Sequence, residues 1–110
     1  MYQYKATIQR VVDGDTVIAD IDLGFDVHVI KRLRIADYDA PEIYHPKSAD
    51  EKALGLQAKE RAEALLMEKQ VVLRSGRTQG KYGRWIASIS VDGKDFVAVM
   101  KSEGFVKETE

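Results

Sequence analysis

Three times between residues 3 and 36, apolar and polar side chains alternate with a period of two. A helix cannot bury such a pattern, but a half-buried strand does. Tyr4, Ala6 and Ile8 alternate with Lys5, Thr7 and Gln9 along a first strand, 3–12. Val17, Ala19, Ile21 and Leu23 share one face of a second, 15–23. Phe25, Val27, Val29, Leu33 and Ile35 share one face of a third, 25–36, with Asp26, His28, Arg32 and Arg34 on the other. Asp13-Gly14 supplies the first turn, where glycine accepts positive φ, and Gly24 ends the second strand. The first third of the chain is therefore expected to fold as a three-stranded meander.

The period then changes. Residues 37–50 hold Asp, Pro and Ser with no regular spacing, as a long loop does, and long loops in compact domains often carry function. Ser48 and Glu51 have capping-box spacing and open a helix over about 50–69, with Leu54, Ala58, Ala62, Leu65 and Leu66 as its expected buried stripe. Val71-Val72-Leu73 reads as a short buried strand, 74–82 as a polar loop, and 83–91 as a further strand. Asp92-Gly93 is a second hairpin signal, and a short C-terminal helix is expected over 98–103, stopped by Gly104. Three strands, a helix and two more strands is the order of an OB-fold, a five-stranded Greek-key barrel of mainly β (α+β) class. That architecture often binds oligonucleotides but settles no function alone.

With 110 residues the chain is expected to form a single domain, 1–110. It has no cysteine, which excludes disulfides, thiolate chemistry and cysteine-based zinc sites. Neither a signal peptide nor a membrane-spanning run is visible, so the expected location is cytoplasmic or secreted after processing. The formal net charge of -1 argues against tight, indiscriminate phosphate binding, but the charge is unevenly spread. Lys69, Arg74, Arg77, Lys81 and Arg84 occur with no intervening acid, and Lys31, Arg32 and Arg34 form a second basic cluster. Local field steers a charged substrate more than net charge does.

Acids and arginines gather at strand ends and in loops. Asp15 follows the first turn, Arg34 lies near the end of the third strand, and Asp39-Ala40-Pro41-Glu42 comes directly after it. Arg84 closes Lys81-Tyr82-Gly83-Arg84. These residue types suit phosphodiester cleavage. Carboxylates hold a hard divalent cation that offsets the substrate's negative charge, a further carboxylate activates water, and arginines bind the charge that builds on phosphorus. Singly, each also has an ordinary reading. Asp15 caps its turn, Asp39 is a turn residue before Ala-Pro, and Glu42 is a solvated loop charge. Arg34 pairs with an acid across the sheet, and Arg84 covers Trp85.

Taken in order, Asp13-Gly14-Asp15-Thr16-Val17, then Arg34-Ile35-Ala36 with Asp39-Ala40-Pro41-Glu42, then Lys81-Tyr82-Gly83-Arg84, resemble the three signature blocks of the staphylococcal-type nuclease family. The closing stretch from Asp92-Gly93-Lys94 to Gly104-Phe105-Val106 is similar to that family's last hairpin and short helix, so the likeness covers nearly the whole chain. The resemblance implies a calcium-dependent nuclease acting on DNA or RNA. Asp15, Asp39 and the backbone carbonyl of Ala40 would be metal ligands, Glu42 the general base, and Arg34 and Arg84 the phosphate-holding catalytic residues. Lys81 and Tyr82 would contact a terminal phosphate of the bound nucleotide, and cleavage would leave a 3′-phosphate. Ala40 stands where a threonine is common, and the hairpin between Asp15 and Arg34 is longer than in the best-known member. From ligand chemistry alone, magnesium or manganese also suits oxygen donors.

Tyr38 and Tyr44 flank the loop and suit either base stacking or packing; His28 and His45 receive no catalytic role. The expected partner is nucleic acid, with no membrane, and the expected state is a monomer. The rival reading is a non-catalytic OB-fold module that binds nucleic acid or protein, but such a module has little use for three acids facing a phosphate.

Overall fold

The computed structural model describes residues 2–75 and 85–107. Strands β1 (Tyr2–Asp13), β2 (Thr16–Asp22), β3 (His28–Ile35), β4 (Gln70–Ser75) and β5 (Trp85–Val91) form one sheet in the order β3-β2-β1-β4-β5. A β3–β5 pairing closes that sheet into a five-stranded barrel, as the sequence led us to expect. The closing pair is parallel, with Leu33 beside Trp85, Arg34 beside Ile86 and Ile35 beside Ala87; every other pair is antiparallel. A two-residue β6 (Lys94–Asp95) folds back on the end of β5. Helix α1 (Ala49–Leu66) sits between β3 and β4 in the chain, and α2 (Phe96–Ser102) follows β6. No helix among the described residues is long and apolar enough to cross a membrane.

β1 serves two partners because it bends. Its first half pairs with β4 and most of its length with β2, and the β2 register shifts between Ile8 and Arg10. The extra residue moves the buried face from Ala6 and Ile8 to Val11, so one strand lines two sides of the core. The core itself is aliphatic (Ile8, Val17, Ile21, Leu33, Ile35, Leu73 and Ile89), with Phe96 and Met100 of α2 plugging it.

The β2–β3 hairpin departs from expectation. β3 begins at His28, not at residue 25, and Leu23, Phe25 and Val27 are exposed. Gly24, Phe25 and Asp26 all take positive φ, and Leu23 N–H donates to the Val27 carbonyl at 2.8 Å, making a tight tip. Alternation says which residues share a face. It does not say where the hairpin outruns the core, and here it does so before residue 23.

α1 ends at Leu66, three residues short of expectation. Met67 caps it and Glu68 turns into the left-handed region to send its N–H to the Ile8 carbonyl, 3.1 Å away. Ser48 caps the start, accepting from Glu51 N–H at 3.0 Å, while the buried Glu51 carboxylate accepts from the Lys47 amide at 2.8 Å. The buried stripe is Glu51, Gly55, Ala58, Ala62 and Leu66. Leu54 and Leu65, expected there, are only half-buried. A reading by hydrophobicity passes over an acid and a glycine, yet small side chains let the helix lie close. β4 runs through Ser75, longer than the three residues expected, and α2 starts at Phe96 because Asp95 caps it by accepting from Ala98 N–H.

Gly55 is where the helix meets the long loop. A Cβ there would stand 2.8 Å from the Pro41 carbonyl oxygen and 3.0 Å from that of Glu42. Alanine favours a helix over glycine by about 1 kcal/mol. Gly55→Ala should nevertheless destabilise the protein by about 1–2 kcal/mol in urea unfolding, because the backbone at 41–42 must shift; a net gain would mean that the loop yields freely.

Candidate active site

The closure of the barrel builds the site. Ile35 N–H donates to the Asp15 carbonyl at 2.8 Å, which fixes the start of β2 against the end of β3. The chain then corners through 36–40 and comes back over the Asp13-Gly14 turn. Ala40 N–H donates to Asp15 Oδ2 at 2.9 Å. Gly14 is not in the left-handed region, so the sequence-based reason for a glycine here is corrected. What it supplies is room: an added Cβ would lie 2.8 Å from the Ala40 Cβ.

Arg34 organises the corner. Its Nη1 donates to the carbonyls of Ile35, at 2.9 Å, and Tyr38. Its Nη2 donates to Asp39 Oδ1 and lies 3.5 Å from Asp15 Oδ2. Two carboxylates, from the β1–β2 turn and from the loop, thus face one guanidinium nitrogen.

Asp15 is the strained member. Its side chain is only 14% exposed. Burial, then a hydrogen bond with Asp13 and that neighbour's negative charge, push its pKa up to about 6, against the pull of the Ala40 amide and Arg34. Asp13 also accepts from the Asp15 amide at 3.0 Å. The sequence gives Asp13 a place in the first turn and in the first signature block, but no part in the electrostatics of the site. Asp39, at 76% exposed, faces solvent.

The structure therefore brings Asp15, Arg34, Asp39 and Ala40 together. Glu42, two residues past Ala40, is half-buried, and Lys107 Nζ stands 3.5 Å from its Oε1. Lys81, Tyr82 and Arg84 lie outside the described residues. Tyr38 is buried, packs edge-on against Phe96 and donates to the Phe105 carbonyl at 2.7 Å, so it is a packing residue and not a stacking platform. Burial first, then Asp15 and Asp13, hold its hydroxyl above the ordinary range. Tyr44 and His45 are exposed, and His28 pairs with Asp20 on the outer face of the hairpin. Lys69 pairs with Asp92 and Lys31 lies over the Trp85 ring, so neither basic side chain belongs to the site.

Beside this corner runs an open cleft of about 520 Å³, lined by Arg34, Tyr38, Asp39, Ile86, Lys101 and Lys107. Nothing in the local sequence around Lys101 and Lys107 pointed to them, since they follow the barrel in the chain. Among the described residues no group of three or more His, Cys, Asp or Glu side chains is placed to hold a metal ion. Asp15 and Asp39, whose carboxylates share Arg34 Nη2, are a smaller, oxygen-only pair. Such donors suit hard cations. A buried carboxylate whose pKa is raised beside a second acid fits a place for added positive charge.

The profile of the family described as staphylococcal nuclease homologue matches residues 32–110. The SPbeta prophage-derived endonuclease YokF of Bacillus subtilis (strain 168) is 31% identical over 103 residues. That alignment covers 92% of this chain and 33% of that protein, so the chain spans about a third of the length of the relative it matches.

The raised pKa of Asp15 sets a sign for stability. Below its ordinary value of 3.8 the carboxyl is protonated both folded and unfolded; between 3.8 and about 6 only the folded state keeps the proton. This group's contribution to stability therefore falls as pH rises through that window. Asp15→Asn, which keeps an acceptor for Ala40 N–H, should raise stability at pH 7 by about 1–3 kcal/mol and flatten that slope. Urea unfolding in chelator from pH 4 to 7 checks both.

Proposed function

Since the chain belongs to the staphylococcal nuclease homologue family, we propose that it hydrolyses phosphodiester bonds of DNA or RNA with the help of calcium. The observation that carries this reading is Arg34, held by two backbone carbonyls and facing the carboxylates of Asp15 and Asp39 at the edge of an open cleft. Such an array suits a substrate that is an anion and gains charge as it reacts.

Asp15, Asp39 and the Ala40 carbonyl would hold the cation, and a bound calcium ion supplies charge that offsets the phosphate's own. Arg34 Nη2, which faces the same carboxylates, would donate to a non-bridging phosphate oxygen. Its Nη1 bonds to Ile35 and Tyr38 keep the guanidinium in place, so little reorganisation accompanies the reaction. Arg84 is assigned the same task from its place in the Lys81-Tyr82-Gly83-Arg84 block, and Lys81 and Tyr82 contact a terminal phosphate of the bound nucleotide. Glu42 takes a proton from the attacking water. The water oxygen bonds to phosphorus, the bond from phosphorus to the 5′-oxygen breaks, the 5′-oxygen takes a proton from solvent, and the products are a 3′-phosphate and a 5′-hydroxyl. None of these contacts reads a base edge, so cleavage is expected to show little sequence preference.

Labelled single-stranded DNA and RNA, incubated with calcium, with magnesium and with chelator, test the proposal. Calcium-dependent cleavage should fall by about 10²–10³ in Glu42→Gln and in Arg84→Ala. Salt-sensitive binding without cleavage under any cation, unchanged in both variants, would overturn it in favour of a binding module.

A further inference from the structure

The segment after α2 is tied to the molecule at three points. Glu103 forms a two-pronged pair with Arg61 of α1, at 2.7 and 2.9 Å. The Phe105 carbonyl accepts from the Tyr38 hydroxyl at 2.7 Å. Lys107 Nζ lies 3.5 Å from Glu42 Oε1. The last two contacts fall on either side of Asp39 and Ala40, so one short segment grips the first part of the loop that carries the candidate site.

Glu42 itself is weakly held. Its side chain is 37% exposed, and Lys107 is its charged partner among the described residues. A loop carboxylate without such a partner samples several rotamers. Lys107 also lines the cleft with Arg34 and Asp39. Because the Phe105 carbonyl is already fixed to Tyr38, the lysine starts from an anchored backbone two residues away.

We propose that Lys107 is a positioning residue: its ammonium, carried on the segment that Tyr38 and Arg61 tie down, holds the Glu42 carboxylate at the edge of the cleft in the orientation that water activation needs. This rests on the nuclease reading above. A competing role for the same lysine is direct contact with a substrate phosphate, and kinetics separate the two. A group that orients the base acts on the chemical step, whereas one that grips substrate acts on binding.

Lys107→Met should lower kcat about 10-fold, as expected for a misplaced catalytic group, with KM for an oligonucleotide within about 2-fold. Lys107→Arg should restore most of the loss. Combining Lys107→Met with Glu42→Gln should cost no more than Glu42→Gln alone, since both act through one carboxylate. An ion pair this exposed adds little to folding, so Tm should stay within about 2 °C.

Independently of activity, a zero-length carbodiimide should join Glu42 to Lys107 in the wild type, read by peptide mapping. A raised KM at unchanged kcat, an additive double variant, or the absence of the crosslink would overturn the proposal. A wild type that crosslinks but cleaves nothing would overturn the nuclease reading and the catalytic role with it. A wild type that cleaves while Lys107→Met keeps full kcat would overturn the role of Lys107 alone.

Discussion

A corner in which the chain leaves β3 and returns over the first turn exposes backbone carbonyls in a place that packing has already filled. Ile35 and Tyr38 both present theirs there, and one Arg34 nitrogen satisfies both. A buried carbonyl left without a donor costs about 1–3 kcal/mol, so the guanidinium is part of the fold before it is part of any chemistry. Its second terminal nitrogen then meets Asp39 and Asp15. The loop path and the carboxylate pair meet at this one side chain.

That dependence explains why the site is costly. Asp15 is buried beside Asp13, and the Ala40 amide and Arg34 pull toward its ionised form without overcoming that burial. A protein selected for stability alone would gain from a neutral residue there. Retaining the acid fits a position where positive charge is needed later, the usual trade between a stable and a functional site. Two glycines serve the same end by giving up side chains. Gly14 admits Ala40 against the first turn, and Gly55 admits the backbone at 41–42 against α1. The loop is thereby pressed between turn and helix, so that its acids project from a fixed backbone.

The C-terminal segment completes this arrangement from the outside. It packs Phe96 into the core, receives the Tyr38 hydroxyl at Phe105, and reaches Glu42 through Lys107. The far end of the β2–β3 hairpin plays no such part. Its tip residues Leu23 and Phe25 extend an apolar face beyond anything that could cover it among the described residues.

Local pattern determined a good deal by itself. The five barrel strands, the helix between β3 and β4 and the two hairpin turns follow from periods and turn residues that act over a few positions. Asp15, Arg34 and Asp39 were legible as candidates from their places in turns, strand ends and the following loop, whereas Ala40 came from the family resemblance alone. Contacts between distant positions were decided only by the tertiary structure. The sequence could not say that Asp13 would burden Asp15, that Gly14 would be needed for space and not for φ, or that Glu51 and Gly55 would take the helix face expected of Leu54 and Leu65. Nor did it place Lys107 beside Glu42, sixty-five positions earlier in the chain. The reason is physical: side-chain period is a property of neighbours along the chain, whereas distance, burial and charge environment are set when the parallel β3–β5 pair closes the barrel and brings remote segments onto one corner.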